Sequence, residues 1–273
     1  MGVDSQRGSH CCRGVSDPSA VLRDLGATAQ AHPHDATAWY RWAIALAQAG
    51  QRTQAIATAR HALTHAGQAQ VLVGLGKLLE ILEQHGEAVS AYRRATQHDP
   101  AHVDAHVCLG SLLRRLDDPR AALLTLRAAA TRLPGSGPLS LELAEALLAA
   151  HQPDEAIMHA ERARERDMPD EAVLRIFARA RAALGQGDAA LAALRPLPTL
   201  SEEDVEVVVG VARKLALGPG GTAAALAALE HARARAPSPE AQLILGITLS
   251  ELGALSPALE ALRRATAERP SSG

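Results

Sequence analysis

The sequence predicts an all-α protein built as a solenoid of stacked helical hairpins, and three observations carry that expectation. First, 58 Ala and 39 Leu make up more than a third of the 273 residues, and these residues head the helix-propensity scale. Second, aromatic residues reach only 2%, namely Trp39, Tyr40, Trp42, Tyr92 and Phe177, whereas β-rich chains enrich aromatic and β-branched residues. Third, the chain repeats. Ala55, Ala88, Ala122, Ala156, Ala190, Ala225 and Ala258 are separated by 33, 34, 34, 34, 35 and 33 residues, a period typical of helical solenoids. Seven residues beyond each stand Ala62, Ala95, Ala129, Ala163, Leu197, Ala232 and Ala265. Twelve residues before each stand Ala43, Gly76, Gly110, Ala144, Ala178, Arg213 and Gly246. Small residues in three columns let two antiparallel helices approach until their backbones nearly touch. One amphipathic hairpin cannot bury its face alone, so each stacks on its neighbours.

Taken in order, residues 1–16 read as a disordered leader, and 17–35 as a leading helix, Pro18–Ala31, capped by Asp17 and closed near Pro33. Seven repeats follow over 36–270, with a short tail at 271–273. Each repeat shows an apolar stripe at helical spacing, a break, and a second stripe. In the third, Leu109, Leu112, Leu113 and Leu116 form the first stripe, and Leu123, Leu124 and Leu126 the next. Between them Asp118 is placed to cap the second helix, with Pro119 in its first turn. Pro100, Pro134, Pro237 and Pro270 end repeats at the same phase.

These residues resemble the tetratricopeptide repeat family. The first repeat supplies Trp39, Trp42, Ala43, Leu46, Gly50, Ala55, Ala59 and Ala62, the second Leu72, Leu75, Gly76, Leu79, Ala88, Tyr92, Ala95 and Pro100. The seventh supplies Leu245, Gly246, Leu249, Gly253, Ala258, Leu262, Ala265 and Pro270. The resemblance, to bacterial-type multi-repeat members, implies a right-handed α-solenoid that binds a protein partner's helix or extended peptide in a concave groove, without catalysis and without a cofactor. Carried over by position, the groove holds Tyr40, Ile44, Val73, Lys77, Val107, Arg114, Leu141, Glu145, Arg175, Arg179, Val207, Lys214, Leu243 and Ile247. Its floor is apolar toward the N-terminus, with a cationic trio, Arg175, Arg179 and Lys214, toward the other end. A partner bringing an apolar segment and acidic residues fits that surface, unless Glu142 and Glu145 neutralise the trio. On that reading, reversing Arg175 and Arg179 to Glu leaves the thermal midpoint nearly unchanged. Many relatives clamp a chaperone's terminal carboxylate with Lys, Asn and Arg, but the corresponding places here hold Tyr40, Ile44, Gly74, Asp104 and Cys108, so that ligand is not expected.

Three departures stand out. Arg195-Pro-Leu-Pro-Thr interrupts the second helix of the fifth repeat, because an internal Pro removes a helical hydrogen bond and clashes with the turn before it. The 195–204 segment therefore reads as a bend between stacks or as ordinary repeat degeneracy. Ser201 with Asp204 restarts the chain as a capping box, with Leu200 placed to staple onto Val205. The sixth repeat puts bulky Arg213 in a small-residue column, with a Gly218-Pro-Gly-Gly loop after it. On that register Ala122→Leu overpacks the stack and Arg213→Leu is tolerated. Finally, the last helix carries Leu255, Leu259 and Leu262 with no repeat after it, which makes self-association through the C-terminal repeat the alternative function. A regulatory subunit for an enzyme on another chain is a third reading.

Other functions find little support. A net charge of −2 and five aromatics supply neither the basic stripe nor the stacking platform of a nucleic-acid binder. No run approaches the roughly 20 apolar residues of a membrane helix, and Gln6 departs from the myristoylation pattern. Cys11, Cys12 and Cys108 are odd in number, which suits a reducing, cytoplasmic setting. His61 and His65 lie at a metal-compatible spacing, but without a third ligand at matching spacing they read as surface residues. His10-Cys11-Cys12 lacks preorganised geometry. His106 and Cys108, two apart on a helix, point in different directions. Glu142 and Glu145 read as a solvated face. No nucleophile elbow, Walker loop or dinucleotide fingerprint occurs.

Overall fold

The computed structural model describes residues 18–218 and 221–267. The expected leader and its Asp17 cap, Pro270 and the tail lie outside them. The described residues form fifteen α-helices and no strand. A leading helix, α1 (Pro18–Ala31), is followed by seven helical hairpins: α2 (Ala36–Gln48) with α3 (Arg52–His65), α4 (Ala69–Ile81) with α5 (His85–His98), α6 (Val103–Arg115) with α7 (Pro119–Arg132), α8 (Gly137–Ala149) with α9 (Pro153–Arg164), α10 (Asp170–Ala183) with α11 (Gly187–Leu194), α12 (Glu202–Ala216) with α13 (Gly221–Arg235), and α14 (Pro239–Glu251) with α15 (Leu255–Ala267). The chain is thus an all-α solenoid. It divides into two compact bodies, 1–109 and 110–273, with the division inside α6; the 195–204 segment lies within the second.

Several helix starts follow local capping chemistry, while others, such as those at Gln51, Gln84 and Gln186, make no side-chain cap bond. Asp35 accepts from the backbone N–H groups of Thr37 and Ala38 at 2.9 and 3.3 Å, Asp118 from Ala121 at 3.0 Å, and Ser238 from Ala241 at 3.1 Å. Ser201 and Asp204 form the expected reciprocal box, which satisfies N–H groups that a helix start leaves unpaired. In six of the hairpins the turn holds one left-handed residue, as at many helix ends. Gly50, Gly185 and Gly253 supply it at φ 74, 76 and 80°. Glu83, Asp117 and His151 supply it at φ 59, 59 and 58°, where a Cβ costs roughly 1–2 kcal/mol. His151→Gly is therefore expected to raise stability by about 0.5–1 kcal/mol once glycine's extra backbone entropy is deducted. A urea titration showing a lower midpoint would contradict this.

Packing explains the small-residue columns. A Cβ on Gly76 would collide with the Tyr92 ring, one on Gly110 would lie 2.6 Å from Leu126, and one on Gly246 would lie 2.9 Å from Leu262. Each partner is sixteen residues further on, on the facing helix of the same hairpin. In the first and fourth repeats the column holds Ala43 and Ala144, and the facing residues shrink to Ala59 and Ala160, all fully buried. Size on one helix is matched by size on the other, as dense packing demands.

The sixth repeat corrects the register read from sequence. Arg213 is exposed and pairs with Glu251 at 2.9 Å, while its neighbour Ala212 is 0% exposed. Ala212 fills the column, which restores a spacing of 34 residues from Ala178 and 34 to Gly246. The extra residue falls between Ala212 and Ala225, and it shifted the register when counted back from Ala225. The apparent bulky departure disappears.

Broken helix α11, 8 residues long, is not left with bare carbonyls. Arg235 donates from Nη1 to the carbonyl oxygens of Leu194, Arg195 and Leu197 at 3.0, 3.1 and 2.9 Å. Leu197 and Leu200 turn inward and are buried, as is Val205. They fill the inner side of the missing turns.

Candidate partner-binding clefts

In the first body, α2 and α4 lie side by side and enclose a cleft of about 390 Å³. It gathers Tyr40, Ile44 and Lys77 from the expected groove and adds Gly74, Leu78 and Ile81. Gly74 makes the cleft possible: a Cβ there would lie 2.5 Å from the Tyr40 hydroxyl oxygen and 2.6 Å from its ring. The ring therefore rests on the helix backbone. Ile81 is 73% exposed, so most of its aliphatic side chain meets water. Lys77 is exposed and makes no ion pair with any described residue.

Two expected groove residues in this body behave otherwise. Val73 is only 2% exposed and belongs to the core, which corrects its placement in the groove. It neighbours Leu72, and the inward face of α4 is wide enough to take both. Val107 is half-buried outside this cleft. Sequence reasoning overlooked Ile81, although it follows Lys77 by four residues and so shares its face.

In the second body a cleft of about 480 Å³ collects Arg179, Val207 and Lys214, together with Glu203, Glu206 and Gly210. Its chemistry is polar, and the cationic trio is largely spent. Arg179 reaches Glu145 at 2.8 Å and Glu203 at 3.5 Å, so the neutralisation by Glu145 that sequence left open occurs. Arg175 instead donates from Nε to Asp204 at 2.9 Å. Asp204 is 1% exposed and also accepts from the Ser201 backbone N–H at 2.9 Å. Of the trio only Lys214 makes no ion pair with a described residue. Arg114 pairs with Glu142 at 3.3 Å; burial holds the Glu142 carboxyl above its ordinary range, and Arg114 partly offsets that. The paired glutamates are thus bound to arginines rather than a free solvated face. Leu141 and Leu243 are half-buried, and Ile247 is about half exposed.

The remaining candidate residues are structural. His61 stacks on Trp39 with ring centroids 3.9 Å apart, and His65 meets His34, Nδ1 to Nδ1, at 3.4 Å. Among the described residues no group of three or more His, Cys, Asp or Glu is placed to hold a metal. His106 turns away to the Pro100 carbonyl at 3.1 Å, while Cys108 lies beside Tyr92. Burial first, and Cys108 second, push the Tyr92 hydroxyl well above its ordinary range, and that hydroxyl donates to the Glu80 carboxylate. No helix among the described residues is long and apolar enough to cross a membrane.

Comparisons with known proteins agree with this architecture. No curated protein sequence matches the chain. Among solved structures it is similar to a tetratricopeptide repeat protein from Parabacteroides merdae, with TM-score 0.59 and 15% identity over 92% of this chain and 93% of that one. It is also similar to PilW, a type IV pilus biogenesis factor, with TM-score 0.54 and 21% identity over 70% and 91%. PilF of Pseudomonas aeruginosa gives TM-score 0.53 and 19% identity over 69% and 88%. At these identities the likeness concerns the fold. The family model described as tetratricopeptide repeat matches residues 73–137 and 214–273, in keeping with the columns and hairpins above, so these two stretches are tetratricopeptide repeats.

Proposed function

We propose that the chain is a non-enzymatic scaffold that holds an apolar segment of a protein partner in the α2–α4 cleft. The observation that supports this most is the exposed Ile81 beside Tyr40, Ile44 and Leu78, an apolar surface that a partner's side chains would remove from water at about 25 cal/mol per Å². Unpaired Lys77 at its edge would meet an acidic residue of that segment and fix its register. The partner is placed at this end rather than on the cationic trio, because Arg175 and Arg179 are already engaged. We place this activity in the cytoplasm, where three thiols in odd number suit a reducing medium.

Selecting random 16-residue peptides displayed on phage against the immobilised protein tests the reading. Enriched peptides are expected to carry aliphatic residues beside an acidic one. Ile44→Asp and Ile81→Asp should each weaken them at least tenfold with thermal unfolding little changed at exposed Ile81. Selection that yields no common pattern, or peptides indifferent to both changes, would refute it.

A second reading, self-association, is favoured by Leu255 and Leu259, which are 67% and 55% exposed on α15. A dimer in sedimentation that Leu259→Glu dissolves would replace the first reading.

A further inference from the structure

The second body carries another opening, which shares no lining residue with the cleft of Arg179 and Lys214. The other second helices of its hairpins run 12–15 residues, but α11 stops at 8. Leu197 and Leu200 fill the inner side of the missing turns, and the outer side stays open as a cleft of about 510 Å³ between α11 and α13. That volume lies in the range of ligand and side-chain pockets. Leu191, Ala224, Ala227 and Ala228 supply apolar walls.

Its charge has one sign. Arg195, His231 and Arg235 line the cleft, and among the described residues no carboxylate does. Arg195 is exposed and its side chain makes no hydrogen bond or ion pair with a described residue. Arg235 spends Nη1 on three carbonyls and Nε on the His231 carbonyl, which leaves Nη2 without a described partner. The His231 imidazole feels the local field: burial first, then Arg235 and Arg195, lower its pKa below the ordinary value.

We infer that this cleft is a second docking site, which takes an amphipathic helix of a partner protein carrying aliphatic residues on one face and a carboxylate that meets Arg195 and the free edge of Arg235. The partner helix occupies the place of the turns that α11 lacks. Its aliphatic side chains cover the apolar walls, and its acidic group complements a cationic rim that no described carboxylate meets at ion-pair distance, Asp204 acting on Arg235 only from farther off. The site is independent of the α2–α4 cleft.

A dye-labelled 14-residue amphipathic peptide with Leu on one face and Glu in its last turn, and its Gln counterpart, provide the test by fluorescence anisotropy with the full chain. The Glu peptide is expected to bind at least fivefold more tightly at low salt, with the advantage shrinking as salt screens the contact. Arg195→Glu should weaken it at least tenfold, and Ala224→Trp, which fills the cleft from an exposed position, should abolish binding. Ile44→Asp should leave it unchanged, which separates this site from the α2–α4 cleft. If Ala224→Trp does not fold, Ala227→Glu, also at an exposed position, replaces it. Failure to bind up to about 1 mM, binding indifferent to Arg195→Glu, binding lost in Ile44→Asp alone, or a dimer of the chain that Ala224→Trp dissolves would each overturn the proposal.

Discussion

Arg175→Glu is expected to destabilise the protein by about 3 kcal/mol, because it sets a carboxylate against one that has almost no access to water. Asp204 is 1% exposed, and its two partners are the Arg175 guanidinium and the Ser201 backbone N–H. Removing a cation from a buried pair typically costs 3–5 kcal/mol through the stranded charge. The lower figure applies because the Arg175 side chain is 32% exposed, so water partly compensates. The damage extends to the start of α12, since the same Asp204 oxygen closes the capping box. This replaces the expectation from sequence that reversing Arg175 and Arg179 leaves unfolding nearly unchanged. Arg179→Glu alone should cost less, about 1 kcal/mol, as its partners Glu145 and Glu203 are themselves 21% and 74% exposed. Urea titrations of the two single variants check the order. Equal, small losses would show that Asp204 finds other solvation.

Ala212→Leu carries the next largest expected effect, a loss of about 1–3 kcal/mol from overpacking. Ala212 is fully buried in the column where Gly and Ala elsewhere let two helices meet. The same change one residue on, Arg213→Leu, removes only an exposed ion pair with Glu251, and such pairs contribute about 0–1 kcal/mol. Ala122→Leu in the third repeat should behave like Ala212→Leu. The three titrations decide the register of the sixth repeat: a large loss at Arg213 with tolerance at Ala212 would reinstate the reading counted back from Ala225.

The all-α class and the alternation of short helices at a period near 34 residues were legible in the sequence. Those follow from short-range rules. Apolar spacing sets helix faces, Asp118, Ser201 and Pro119 set helix starts, and identical small residues at a fixed period imply identical close contacts. The breaking of α11 by Pro196 was equally legible, since proline's missing N–H is a local fact. Choices among neighbours of similar chemistry were settled by packing. Arg175 had Glu142 and Asp204 within plausible reach, and the packing of α10 on α12 pairs it forward with Asp204 rather than back. Val73 carries the same chemistry as a groove residue, but rotation of α4 puts it in the core and leaves Ile81 in the open. One inserted residue after Ala212 keeps local periodicity intact on both sides, so pattern alone assigns it to either. Arg235 lies 40 positions from the Arg195 carbonyl that it caps, and no spacing rule connects them. Periodicity reports which face a residue occupies. Side-chain reach across a packed interface, which depends on helix offset and rotation, decides what that face touches.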